Sequence, residues 1–441
     1  MKASRRTIIR MALAAVALGV APQVRATGSG EITSDEVMRH WYRLVLELVR
    51  HTPTYSPPVA SRAFAYLGVT AFEAVASGSN RLQSLAGQLN GLTPLPQREA
   101  GTLYDDARVV DSAMAFAAKS FFSNTGPTGQ RALKAMAARM REKSASGLPS
   151  DVLARSEAHG LAIGQHILAW SLDDGGAVVE NMGFPLEYTL TEGPEHWVPT
   201  SLVAQQQLPL LPNWARNRTF ATPDGAACGL PNPPAYSEDM ASDFYREALE
   251  VYTAVNDITA DQRIIARFWS DDPMLSPTPP GHWISIALHV LARDKHDAEK
   301  TADVLARLGI TLADAFIGCW DAKFKFDLVR PLTYIHRVID PKWEAPLNTP
   351  PFPEYPSGHS TQSGAAAVVL AHMFGENFAF EDATHAADGL PPRSFASFWD
   401  AAEEAGISRL YGGIHFRSAI ERGLDQGRCI GAYANALKTR R

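Results

Sequence analysis

Cysteine is scarce: Cys228, Cys319 and Cys429 are all that 441 residues contain. Three are too few for a disulfide framework, and their odd number leaves at least one unpaired. A basic excess is missing as well. With 41 Lys and Arg against 47 Asp and Glu, the formal net charge is −6, a balance that offers no electrostatic footprint for nucleic acid. After the first 26 residues no segment has the unbroken apolar length of a membrane helix, so no integral membrane segment is expected in the mature chain. Nor is there an internal repeat of fixed short period, which sets solenoids aside. What is present is 46% hydrophobic residues, enough to bury a sizeable core as two domains or one large helical unit.

The chain opens with Ser4-Arg5-Arg6-Thr-Ile-Ile9, followed by an apolar run from Met11 to Val20 and the small-residue ending Val24-Arg-Ala26. This looks like a twin-arginine export signal with a signal-peptidase site. The apolar run is too short to span a bilayer comfortably. The expectation is a signal over residues 1–26, a mature chain starting near Thr27, and a destination in the periplasm or outside a bacterium.

Beyond it, apolar residues recur at helical spacing, and the fold class predicted is all-α. Helices are expected over 34–51, 58–77, 103–121, 129–143 and 152–170, then 237–255, 260–269, 282–293, 298–316, 321–330, 361–374, 394–405 and 416–437. Between them, residues 173–234 are rich in Gly, Pro, Asn and Thr and lack periodicity. Such length implies a lid, an extended loop or short hairpins. Glu192-Gly-Pro-Glu-His-Trp197 within it either covers a pocket mouth or is ordinary surface. A second irregular stretch covers 341–356. A boundary near 235 separates an N-terminal helical region, 27–235, from a C-terminal half, 236–441.

Three short segments of that C-terminal half carry chemistry. In Lys323-Phe-Lys-Phe-Asp-Leu-Val-Arg330-Pro331, a seven-residue offset puts the ammonium and guanidinium on one helical face, with Trp320 beside them. Pro331 is expected to end that helix at Arg330. In Pro356-Ser357-Gly358-His359 an extended chain leads into a helix. Its free N–H groups and macrodipole suit an anion, Gly358 permits close approach, and His359 can move a proton. In Ser408-Arg409-Leu-Tyr-Gly-Gly-Ile-His415 the glycine pair is expected to turn the chain, so that Arg409 closes one helix and His415 opens the next. Three cations, two imidazoles, a hydroxyl and exposed amides suit one small, highly charged oxyanion.

The three segments together resemble the superfamily of acid phosphatases and vanadium-dependent haloperoxidases, with its pattern Lys-x6-Arg-Pro, Pro-Ser-Gly-His and Ser-Arg-x5-His. The resemblance is strong from about Phe268 onward. It implies two helical bundles and a pocket holding vanadate, or a phosphate group of similar shape. Lys323, Arg330 and Arg409 would bind the oxyanion with help from Ser357 and the Gly358 amide. His415 would be the ligand to vanadium, or the nucleophile of a phosphatase, and His359 the acid/base partner on the opposite side. Vanadate suits a phosphoryl-transfer pocket because it holds the five-coordinate geometry through which that reaction passes.

Two residues point to the oxidative branch: Trp320, three before the lysine, and Phe352, at a position that is phenylalanine in chloroperoxidases. Both would form the halide environment. Leu328-Val329 departs from the bulky aromatics usual before Arg-Pro. Upstream, Phe268-Trp-Ser-Asp-Asp272 resembles a haloperoxidase stretch whose acid pairs with an oxyanion-binding arginine, a role assigned to Asp272. His282 is placed near the entrance with no chemistry. The expected function is a vanadate-dependent haloperoxidase using hydrogen peroxide on bromide or chloride. The alternatives are a soluble acid phosphatase cleaving small phosphate esters through a phosphohistidine, and a non-catalytic vanadate- or phosphate-binding protein.

Overall fold

The computed structural model describes residues 32–441, so the export signal expected over residues 1–26 lies outside the described residues. Thirteen α-helices fill the described chain. In the first half these are α1 (Ser34–Arg50), α2 (Pro57–Ala76), α3 (Asp106–Phe121), α4 (Pro127–Ala145) and α5 (Ser150–Ser171). The second half holds α6 (Asp243–Asn256), α7 (Ala260–Phe268), α8 (Thr278–Arg293), α9 (Ala298–Phe326), α10 (Pro331–Val338), α11 (Gly358–Phe374), α12 (Phe398–Tyr411) and α13 (Arg417–Ala436). A short antiparallel ribbon, β1 (Phe380–Asp382) with β2 (Arg393–Phe395), interrupts the helical order. Polar residues start many of the helices: Thr33 and Thr259 form capping boxes, and Asp105, Ser242, Asp297, Ser357 and Ser397 each accept an N–H from the first turn.

The axis of the molecule is α9, buried along nearly its whole length. On one side it packs against α2 at close range, because a Cβ on Gly68 would sit 2.7 Å from the Leu305 carbonyl and one on Gly309 2.8 Å from that of Phe64. By length and composition α2 is apolar enough to cross a membrane, yet 89% of that stretch is buried inside the protein. One hydrophobic core runs from Ile32 to Leu437, so helices on both sides of residue 235 share it. On the other side α9 meets α11, and α11 meets α13 so tightly that a Cβ on Gly427 would lie 2.2 Å from the Thr361 carbonyl. That crossing brings the start of α11 against the start of α13, where Ser357 N–H bonds the Ala419 carbonyl at 3.0 Å.

The expected helices over 298–316 and 321–330 are one helix, and it stops at Phe326 rather than Arg330. Asp327 turns left-handed, with φ 47°. The next residues pair elsewhere: Val329 N–H bonds the Glu195 carbonyl, and the Leu328 carbonyl accepts Glu354 N–H. Lys323 and Arg330 therefore do not share a helical face. Arg330 sits in extended backbone and caps α10, an element absent from the expectation.

Residues 173–234 contain only single-turn 3-10 helices but are pinned firmly. Asp314 of α9 accepts the N–H groups of Phe220, Ala221 and Thr222 at 2.6–2.9 Å. Burial raises that carboxyl to about 6 against those bonds. Arg62 pairs with buried Asp174. Cys228 is joined by a disulfide to Cys429 of α13, and Cys319 stays free and buried. Nothing in the cysteine count identified that bond.

Candidate active site

Buried cations converge where the end of α9, the start of α10 and the start of α11 meet the turn between α12 and α13. Lys323 is fully buried, and its ammonium donates to the carbonyls of Pro353 (2.8 Å), Glu354 (2.9 Å) and Pro356 (2.6 Å). The proline-rich stretch is thus folded around the lysine. Burial lowers its pKa to about 7.

Arg330 donates from Nε to the Phe352 carbonyl at 2.9 Å and from Nη1 to the Ile414 carbonyl at 2.8 Å. Nη1 also lies 3.2 Å from His415 Nε2, while buried Nη2 has no protein partner. The Phe352 ring lies 5.0 Å from both the Lys323 and Arg330 cations. Arg409, near the end of α12, bonds Ser408 Oγ at 2.9 Å and the Trp269 carbonyl at 2.5 Å. Burial lowers both guanidinium groups to about 10, opposed by Glu354 at Arg330 and by Asp271 and then Asp272 at Arg409.

The histidines occupy the centre of this charge. Burial, and then the positive field of Arg330, Lys323 and Arg409, holds His415 well below its ordinary value. His359, in the first turn of α11, is depressed by burial and by Arg409, and its Nε2 has no hydrogen-bond partner in the protein. Both rings are neutral bases at neutral pH. The turn between the helices is made as expected, with Gly413 at φ 74°. Ser357 caps α11, its Oγ accepting Ser360 N–H at 3.2 Å, and Gly358 follows as the first helical residue. Trp320 packs on Phe352 with centroids 5.0 Å apart, but its indole N–H is spent on the Leu210 carbonyl at 3.2 Å. The structure thus gathers Lys323, Arg330, His359, Arg409 and His415 into one cluster walled by Trp320 and Phe352.

Sequence reasoning missed two carboxylates. Glu354, wholly buried, places Oε1 2.9 Å from His415 Nδ1 and accepts Phe416 N–H on the same oxygen at 2.8 Å. A lone acid amid Pro353, Tyr355 and Pro356 was the signal available. Both acids of the pair attract Arg409, Asp271 more than Asp272, and Asp271, with φ 48°, is the one that meets histidines. Asp271 lies 3.7 Å from His359 Nε2 and 2.9 Å from His282 Nδ1. His282, expected near an entrance, is instead fully buried, and its Nε2 lies 2.7 Å from Asp382. Burial would lower this imidazole, but the two carboxylates outweigh it and raise it to about 10. Asp271, His282 and His385 are the group among the described residues close enough to share a metal ion. Both nitrogens of His282 already serve carboxylates, whereas His385 Nε2, 3.3 Å from Asp271 Oδ1, makes no hydrogen bond in the protein.

The donor set at His415 fits vanadate. A buried guanidinium nitrogen lacks an acceptor beside a neutral ring nitrogen, and an oxyanion supplies acceptors to the one and a coordination partner to the other. Lys323, Arg330 and Arg409 supply compensating charge, and the carboxylates of Glu354 and Asp271 are each engaged with a histidine.

The family model for the second helical-bundle domain of vanadium chloroperoxidase matches residues 303–440. The vanadium chloroperoxidase of Curvularia inaequalis is 26% identical over 211 residues, which is 34% of this chain and 35% of that enzyme. The match thus spans about a third of the curated relative's length. A bacterial vanadium-dependent chloroperoxidase structure, 16% identical, shares the fold with a TM-score of 0.66 over 88% of this chain and 92% of its own. The structure of a bacterial vanadium-dependent iodoperoxidase superposes with a TM-score of 0.84 at 38% identity, covering 92% of this chain and 97% of that one. With that identity sustained over nearly the full length of both chains, the protein belongs to the vanadium-dependent haloperoxidase family.

Proposed function

We propose that this protein is a vanadate-dependent haloperoxidase that uses hydrogen peroxide to oxidise halide to a hypohalous equivalent. The observation that carries this reading is the unpartnered Arg330 Nη2 beside the neutral Nε2 of His415, inside a cluster with two further buried cations. Bound vanadate would supply Lewis-acid activation of peroxide. Lys323, Arg330 and Arg409 would hold the oxyanion's negative charge as a preorganised shell, aided by Ser357 and the Gly358 amide. His415 Nε2 would be the ligand. His359, a neutral base with a free Nε2, would take and return the proton of the incoming peroxide. Iodide is the halide to try first, because the structural relative at 38% identity is an iodoperoxidase. Trp320 and Phe352 would wall the halide side.

We also propose that the protein is exported. The Cys228–Cys429 disulfide supports this, since such bonds persist in oxidising compartments.

A paired assay tests the enzyme reading. Vanadate added to apoprotein should switch on iodide oxidation by peroxide and should block any hydrolysis of an aryl phosphate. Hydrolysis without halide oxidation would replace this reading with the phosphatase, and neither activity would favour a binding protein.

A further inference from the structure

Beyond the residues that face the oxyanion, we propose that Glu354 is a positioning residue that fixes the orientation and tautomer of His415, presenting a lone pair on Nε2. The proposal rests on the haloperoxidase reading only in naming vanadate as the group received.

Hydrogen-bond chemistry at the two ring nitrogens leaves one arrangement. Arg330 has no acceptor, so its Nη1, 3.2 Å from His415 Nε2, can only donate, and Nε2 must carry the lone pair. The proton of the neutral ring therefore lies on Nδ1, 2.9 Å from Glu354 Oε1. That oxygen also accepts Phe416 N–H at 2.8 Å, while Oε2 is buried without a partner. Two donors on one oxygen make Oε1 an acceptor whether or not Oε2 holds a proton. Burial does raise this carboxyl, to about 8, against the attraction of Arg330 and Lys323. The acceptor is itself held still. Lys323 grips the carbonyls of Pro353, Glu354 and Pro356, and Glu354 N–H bonds the Leu328 carbonyl at 3.0 Å. Carboxylates that orient metal-bound histidines act in this way, and their loss costs about 10- to 100-fold in affinity.

Two substitutions separate orientation from charge. Glu354→Gln keeps an acceptor oxygen and removes the charge, whereas Glu354→Ala removes the acceptor. Two readouts apply to the wild type and both variants: vanadate affinity by equilibrium dialysis, and the protonation of each His415 ring nitrogen by 15N NMR of histidine-labelled apoprotein, assigned with H415A. Circular dichroism confirms the fold. The expected outcome is a loss of about 10- to 100-fold for E354A with a mixed tautomer, and for E354Q a retained Nδ1–H with affinity much nearer wild type. Equal losses in both variants would show that charge is what matters and overturn the proposal, as would an unchanged E354A. Should E354A not fold, a wild-type His415 carrying its proton on Nε2 would still refute it. A wild type that binds no vanadate yet shows the expected tautomer would sink the haloperoxidase reading and leave Glu354's role standing.

Discussion

Replacing Arg330 by lysine tests the oxyanion cup most directly, because the substitution keeps the charge and removes the fork. Arg330 spends Nε and Nη1 on the carbonyls of Phe352 and Ile414, both within 2.9 Å, and also places Nη1 beside His415. Nη2 is the donor left over for a ligand. A lysine ammonium, a compact point charge, can reach one or both carbonyls from a single position but cannot also extend a donor in the Nη2 direction. The loss is one charge-assisted hydrogen bond of about 1.5–3 kcal/mol, and at about 1.4 kcal/mol per decade this weakens vanadate binding by roughly 10- to 150-fold. Equilibrium dialysis of apoprotein measures the change, and inorganic phosphate in place of vanadate repeats it with an oxyanion that lacks redox chemistry. Arg393→Lys is the control, since that guanidinium pairs with Glu404 outside the cup. A folded R330K protein that binds vanadate within about threefold of wild type would refute the assignment of Nη2 to the ligand.

Asp382→Asn should destabilise the protein by about 2 kcal/mol, the worth of a charged hydrogen bond to the buried His282. Because His282 is raised to about 10 when folded, that stabilisation is fully present below its unfolded value of about 6.5 and is lost as pH rises through 10. Asp382 is lowered by the same contact, so its share is lost again in acid. Denaturant unfolding at pH 6 and pH 10 checks this, and a gap between wild type and variant that does not narrow at the higher pH counts against a charged triad. Asp314→Ala strands three N–H groups, two of them buried, and should free the segment near residue 220, read as new cleavage there in limited proteolysis. A digestion pattern like that of wild type would show that the loop is held by other means.

Much of the site was legible because its chemistry is local. The turn through Gly412-Gly413 and the start of the helix at Ser357 follow from residues within a few positions of the functional ones. The end of α9 did not, since helical spacing continues to Arg330, and what unwinds the chain is pairing of Val329 with Glu195, over a hundred residues away in sequence. That Asp271 meets His282, His359 and His385 was not legible, because two neighbouring identical residues do not announce which of them turns toward those rings. The partnership of Glu354 with His415 joins points 61 positions apart and is set by how tightly α11 crosses α13. Cys228 and Cys429 are likewise close only because the long loop is folded back onto the last helix.

Leu210 fastens that loop to two places at once, donating its N–H to the Pro351 carbonyl and accepting the indole proton of Trp320. The cup and its lining thus come from different parts of the chain: signature segments after residue 320 supply the buried cations, and an irregular stretch before residue 235 contacts Trp320 through Leu210. Insertions, deletions or substitutions around Leu210 can therefore retune which anion or organic acceptor is admitted while every signature residue stays unchanged. Homologues with identical signatures should accordingly differ in selectivity, and a directed library confined to this stretch is the economical way to alter it.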